Sequence, residues 1–382
     1  MKLSIFFEPL LEEYTEQNSD SRSVGAYIDR FTHKFPDWRG ADLAIIGINE
    51  CRGSNCQNAG EDTVYKIRQQ LYRLKKGNGR YKITDLGNLL PGMDVEDTYL
   101  RLKEVVEALI SYNTLPIIIG GSHDLDYGQF LAYEHLEKAI NMVTIDSCMD
   151  MAEAEDAAAN QKHLLRILMH EPNYLFSFSQ IGHQSYLVEP EMIGLLEKLH
   201  FDTYRIGEVH RAVQEMEPVV RQADMVSFDI SAIRFQDAPA YAPANPFGLT
   251  GEEACQLCWY AGTNDNLTSF GVYEYDPTID TNNLASMTIA TMIWYFIEGY
   301  YHRKNEIDFS SKSFVKYAIG FHDNPDKMVF YKSKTSEKWW LEVEPLSDGK
   351  ASRIIPCSYE DYLTATNGEV PNRWILTQQR MG

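Results

Sequence analysis

Basic residues are scarce in this chain of 382 residues: 35 Lys and Arg stand against 55 Asp and Glu, a formal net charge of −20. A polyanion is held by clustered Lys and Arg, and the runs here, Arg73 to Lys76 and Arg303-Lys304, are short and isolated. No nucleic acid and no membrane surface is therefore expected among its partners. Cysteine is also sparse. Six residues, Cys51, Cys56, Cys148, Cys255, Cys258 and Cys357, suit a reducing cytoplasm better than a disulfide framework. Long apolar runs are missing: the longest apolar helix candidate, Met287 to Ile297, has about half of the ~20 residues a bilayer requires and reads as a buried core helix. The start, Met1 to Tyr14, has a short apolar stretch that Glu8 ends and no small-residue cleavage site, so no secretory signal is expected. Gly-rich phosphate loops and a Gly-x-Ser-x-Gly elbow are absent. Disorder is excluded from the other side, since 44% of residues are hydrophobic and 24% charged, the ordinary globular balance.

Past a polar start without a clear element (Thr15 to Ser23), two signals alternate. Strand-like apolar runs lie at Asp42 to Ile48, Tyr81 to Leu86, Leu115 to Gly120, Asn141 to Ile145, Tyr174 to Ile181, Phe201 to Ile206, Asp224 to Phe228 and Thr268 to Tyr275. Helical spacing separates them at Thr63 to Leu74, Val95 to Tyr112, Tyr127 to Ile140, Lys162 to His170, Glu189 to His200, Thr250 to Tyr260 and Leu284 to His302. This alternation predicts an α/β fold with a mostly parallel sheet covered on both faces. Ligands of such sheets sit beyond the carboxyl ends of the strands. From about Phe309 the helical rhythm gives way to short aromatic-rich runs, Phe314 to Phe321, Lys327 to Lys332, Lys338 to Glu344, Arg353 to Pro356 and Arg373 to Leu376. They read as an antiparallel meander of roughly 70 residues, near the lower edge of independent stability.

Three strand ends carry acids or an imidazole. Gly121-Ser122-His123-Asp124-Leu125-Asp126 follows the third strand, Asp146-Ser147-Cys148-Met149-Asp150 the fourth, and Asp229-Ile230-Ser231 the seventh. Carboxylates gathered at one sheet edge repel, and removing several from water is costly without a compensating cation. One His with three Asp is an oxygen-rich set that suits Mn²⁺ or Mg²⁺. Taken singly, each acid reads as an N-cap and His123 as a buried histidine; taken together, the metal reading stands level with that one.

These residues also carry a resemblance. Gly120-Gly121-Ser122-His123-Asp124, Asp146 to Asp150, Ser227 to Ser231, Gly248-Leu249-Thr250 and Glu274 to Asp280 recur in the order seen in the ureohydrolase superfamily of arginases, agmatinases and formimidoylglutamases. The match spans roughly Ala41 to Tyr300 and includes Asp62 to Leu74 and Asp85 to Asn88. Gly-Gly-x-His-Asp followed by Tyr127-Gly128, with Asp237 to Pro243, looks most like the formimidoylglutamase branch. The resemblance implies a three-layer arginase-like fold with a mostly parallel eight-stranded sheet over residues 1–305. It leaves 306–382 as a small β-rich C-terminal extension packed on that domain. It also implies a homo-oligomer and a small guanidino or formimino compound as substrate. In the family two Mn²⁺ ions, on the order of 3.5 to 4 Å apart, hold a hydroxide that attacks the substrate carbon. His123, Asp146, Asp150 and Asp229 match the ligands of the first ion, and Asp146 and Asp229 also bridge to the second. Glu274 matches the carboxylate that binds the cationic C–N group.

The chain departs from this pattern at the two ligands private to the second ion, where Cys148 and Ser231 stand in place of a His and an Asp. One Mn²⁺ at most is therefore expected, with weak hydrolysis or none. The alternative is a catalytically inactive member of the fold serving binding or assembly. Arg234 could place its charge where the second ion would sit, or be a solvent-facing loop residue. Of His163, His170 and His183, the first is the best candidate for a catalytic, proton-shuttling role. Cys255 and Cys258 read as helix cysteines rather than a zinc knuckle. Cys51 and Cys56 flank a loop, and Trp339 and Trp340 are expected in a core.

Overall fold

The structure, a computed structural model, describes residues 2–11, 20–54, 63–136, 138–321, 324–346 and 351–382. Cys56, Asp62 and the polar stretch 15–19 lie outside the described residues. Ten strands form the main sheet: β1 (Phe7–Glu8), β2 (Ile28–Arg30), β3 (Leu43–Ile48), β4 (Ile83–Leu89), β5 (Leu115–Ile119), β6 (Ile140–Ile145), β7 (Leu175–His183), β8 (Asp202–Arg205), β9 (Met225–Asp229) and β10 (Ser269–Tyr273). Their spatial order is β1-β4-β3-β5-β10-β9-β6-β7-β8, with β2 also beside β4. Only β1 runs antiparallel. The eight strands expected from the apolar runs are β3 to β10. The two extra ones are too short to show as runs in the sequence.

Strands buried on both faces read as unbroken apolar runs rather than alternating ones, and Leu43 to Ile48 is buried at every position. Successive side chains nevertheless point to opposite faces. Ile45, Ile117, Val226 and Phe270 enter one core, together with Ile67, Leu257 and Ile293. The last three belong to α1 (Thr63–Arg73), α8 (Gly251–Gly262) and α9 (Leu284–Tyr301). Ile46, Ile118, Met142 and Met225 enter the other core. There they meet Leu102 of α2 (Val95–Ser111), Phe130 of α3 (Leu125–Leu131), Ile167 of α4 (His163–Leu168) and Leu196 of α5 (Pro190–Lys198). Two layers of helices thus enclose the sheet. The helix expected to run to Ile140 stops at Leu131, because Ile140 pairs with Leu175 as the first residue of β6. Two short helices not expected, α6 (Ile206–Arg211) and α7 (Met216–Gln222), join β8 to β9. Where α8 crosses α9 the backbones nearly touch: a Cβ on Gly262 would lie 2.2 Å from the Phe296 carbonyl oxygen and 3.0 Å from the Gly299 Cα.

A separate four-stranded antiparallel sheet follows, in the order β11 (Phe314–Phe321), β12 (Asn324–Ser333), β13 (Trp339–Val343) and β14 (Arg353–Cys357). Trp339 and Trp340 are both buried. The last expected strand is corrected: Arg373 to Leu376 lies inside α11 (Asn372–Met381), which follows α10 (Tyr359–Thr366). Pro371, fixed at φ −60°, starts this helix, and its spacing puts Thr377 and Met381 on one buried side. Arg221 of α7 ties the two sheets. It binds Glu217 through Nε, donates to the carbonyls of Trp339 and Cys357, and lies 4.3 Å over the Trp340 ring. Among the described residues no helix is long and apolar enough to cross a membrane.

Candidate metal centre

The strands β5, β10, β9 and β6 are neighbours, so their carboxyl ends form one edge. After β5 the chain turns through Gly120 and Gly121 at φ +91° and +79°, a region open to glycine. A Cβ at Gly120 would also strike the Ile48 carbonyl oxygen at 2.8 Å. That turn delivers His123 to the edge, where its backbone N–H donates to Glu274 Oε1 at 2.8 Å. Glu274 leaves β10 at φ +64°, a conformation costly for a residue with a Cβ and concentrated at functional sites.

His123 Nδ1 lies 3.1 Å from Asp229 Oδ2, 3.3 Å from Asp146 Oδ2 and 3.7 Å from Asp150 Oδ2. It is buried and makes no hydrogen bond. Its other nitrogen, Nε2, meets Ser227 Oγ at 2.8 Å, so Nδ1 is the nitrogen that faces the three carboxylate oxygens. One imidazole and three carboxylates in mutual reach fit a hard divalent cation. The four expected ligands are thus brought together.

The electrostatics agree. Burial, then Asp229 and Asp150, pushes Asp146 well above the usual carboxylate range. Burial alone would lower His123, but Asp146, Asp150 and Asp229 raise it. Burial and then Asp229 push Glu274 up to about 8. Negative charge in this pocket is costly without a cation.

The positions of the missing second-ion ligands are occupied differently. Asp146 Oδ1 accepts from the Cys148 N–H at 2.9 Å and from Ser231 Oγ at 3.3 Å, and Asp229 Oδ1 accepts from the Ser231 N–H at 2.6 Å. Ser147 Oγ stands 3.1 Å from Ser231 Oγ. Burial, with Asp146 next, pushes the Cys148 thiol up, away from the thiolate a metal would need. Arg234 does not fill this space. Its Nε binds Asp237 at 3.0 Å, with the side chain 42% exposed, because the nearer carboxylate three residues on captures it.

His163, at the start of α4, is buried. Its Nδ1 lies 2.7 Å from Asp126 Oδ1 and its Nε2 3.2 Å from Asp150 Oδ2. Burial would lower it, but Asp126 and Asp150 outweigh that and push it up to about 10. His170 instead meets the Tyr127 hydroxyl at 3.1 Å, and His183 is buried at the end of β7. Cys255 and Cys258 are free thiols on α8. Two neighbours were not singled out from the sequence as site residues. Asn160 Nδ2 donates to Glu274 Oε1 at 3.0 Å, and nothing in its local sequence signals this. Asp126 stands in the first turn of α3, three residues past His123, and its partner His163 lies 37 residues on, so its role shows only in the folded chain.

The model of the arginase family matches residues 41–298. The chain is 24% identical over 232 residues to a formimidoylglutamase of Geobacillus sp. (strain WCH70), covering 58% of this chain and 70% of that one. Among solved structures it resembles formimidoylglutamase from Bacillus subtilis, with TM-score 0.66, 18% identity and coverage of 75% and 94%. It also resembles Trypanosoma cruzi formiminoglutamase with Mn²⁺, with TM-score 0.64, 17% identity and coverage of 71% and 100%.

Proposed function

Since the chain belongs to the arginase family, we propose that it hydrolyses the C–N bond of a small formimino compound, such as N-formimidoyl-L-glutamate, at a centre holding a single Mn²⁺. One observation carries this reading. The Oδ2 atoms of Asp146, Asp150 and Asp229 converge on His123 Nδ1, while Ser231 and the Cys148 N–H engage Oδ1 of the two Asp residues that would bridge to a second ion. When bound, the ion would supply an acidified water and a positive charge for the tetrahedral intermediate.

The chain's own residues do the rest. Glu274 receives the substrate's cationic C–N group: among the described residues its two donors, the His123 N–H and Asn160, both reach Oε1, which leaves Oε2 for the substrate. A carboxyl raised to about 8 by burial and by Asp229 gains strongly from a cation placed beside it. His163, enclosed between Asp126 and Asp150, holds Asp150 in place. A second reading, a catalytically silent member of the family, is favoured by Cys148 and Ser231 themselves.

Metal analysis and formamide release test both. Wild-type protein is expected to hold about one equivalent of Mn²⁺ and to release formamide slowly. Cys148→His combined with Ser231→Asp is expected to hold about two equivalents, spaced as in two-ion sites, and to turn over faster. Two equivalents in the wild type would overturn the one-ion reading. One equivalent without hydrolysis of formimidoylglutamate, agmatine or arginine would establish the silent member.

A further inference from the structure

Asp126 and His163 lie outside the four-ligand set yet touch it at two points. Asp126 is fully buried in the first turn of α3. Its Oδ1 lies 2.7 Å from His163 Nδ1, and its Oδ2 accepts from Ser227 Oγ at 3.1 Å. That same hydroxyl meets His123 Nε2 at 2.8 Å, and His163 Nε2 reaches Asp150 Oδ2 at 3.2 Å. A continuous line of contacts therefore runs from His123 through Ser227, Asp126 and His163 to Asp150, beginning and ending on ligands.

The ligands are unequally held. Asp146 directly follows β6 and Asp229 ends β9, and backbone N–H groups fix both carboxylates. Asp150 lies in the loop before α4, tied to it by the Leu164 N–H to its carbonyl at 3.1 Å. Among the described residues the one hydrogen bond to its carboxylate comes from His163. A ligand must be held to within about 0.5 Å of its productive position, and among the described residues that bond from His163 is the one that constrains the Asp150 carboxylate.

We propose that Asp126 and His163 are positioning residues that set the affinity of the centre for its ion. Asp126 fixes His123 through Ser227 and fixes His163 directly; His163 fixes Asp150. The inference rests on the one-ion reading, and partners of this kind typically account for about 10–100-fold in metal affinity.

Calorimetric titration of the full chain with Mn²⁺ tests it, using wild type, Asp126→Asn, His163→Asn, His163→Gln and the double Asn variant, with circular dichroism as the control for folding. Gln can place its amide nitrogen near the position of Nε2 and keep the Asp150 bond, whereas Asn reaches only the Asp126 side. Asp126→Asn and His163→Asn are expected to bind about 10–100-fold more weakly. His163→Gln should fall between His163→Asn and wild type, and the double variant should be no weaker than its weaker parent, because the residues act in one line. A purely structural role would not order Gln above Asn. Binding by His163→Asn within about twofold of wild type, or Gln no better than Asn, overturns the inference while leaving the one-ion reading intact. A wild type that takes up no Mn²⁺ overturns both. If Asp126→Asn does not fold, the order of the two His163 variants decides.

Discussion

Glu274 is buried, sits at φ +64° and feels the charge of Asp229. Its carboxyl titrates near 8 in the folded chain against an ordinary 4.5. Between those values the folded state keeps a proton that the unfolded state has released, so this residue's contribution to stability falls as pH rises from 4.5 to 8. Glu274→Gln keeps the oxygen that accepts from His123 and removes the titration. In the presence of chelator it is expected to gain on wild type from pH 5 to pH 8 by on the order of 3–4 kcal/mol, each pKa unit being worth about 1.4. Urea unfolding at the two pH values checks this, and an equal gap at both would refute it. His123, Asp146 and Asp229 were legible in the sequence because each stands at the end of an apolar run, where the fold class places ligands, whereas Glu274 was legible only through the family resemblance. Asp126 and Asn160 were not legible as site residues. Their partners, His163 and Glu274, lie far along the chain, and only the tertiary structure joins them.

Among the helices, α8 and α9 cross with their backbones nearly in contact. Gly262 and Gly299 let the two backbones meet, and the added methyl of Gly262→Ala would press on the Phe296 carbonyl at 2.2 Å, an atom that cannot rotate away. A loss of about 2–3 kcal/mol is expected, at the upper end for overpacking. Thermal and urea unfolding measure it, and a loss below about 0.5 kcal/mol would show that the helices separate easily. The elements best read from the sequence were those with one dominant force. Leu43 to Ile48 is apolar throughout because both faces are covered. By contrast, α7 holds a proline, Pro218, inside seven residues, and so short a segment shows no period. The run Arg373 to Leu376 is too short to tell a strand from a helix by composition.

For the whole molecule, the seam between the two sheets depends on few groups. Arg221 reaches β13 and β14 from α7, Lys338 meets Glu217 at 2.9 Å, and Arg380 of α11 reaches Asp202 of β8 at 2.7 Å. Arg221→Met keeps the bulk and removes the bonds. Amide exchange in Trp339–Val343 and Arg353–Cys357 is expected to quicken about tenfold, equal to ~1.4 kcal/mol of easier local opening, while β5 and β9 stay protected. Uniform quickening throughout would mean that the sheets open as one unit. The order of the central strands has a further consequence, for assembly in time. His123 follows β5, and the aspartates follow or end β6 and β9, but β5 and β9 are not neighbours: β10, the last strand of the main sheet along the chain, lies between them. During synthesis the two halves of the ligand set therefore stay apart until residues 269–273 have emerged and inserted. On the one-ion reading, the complete set of four ligands would form only with the completed sheet.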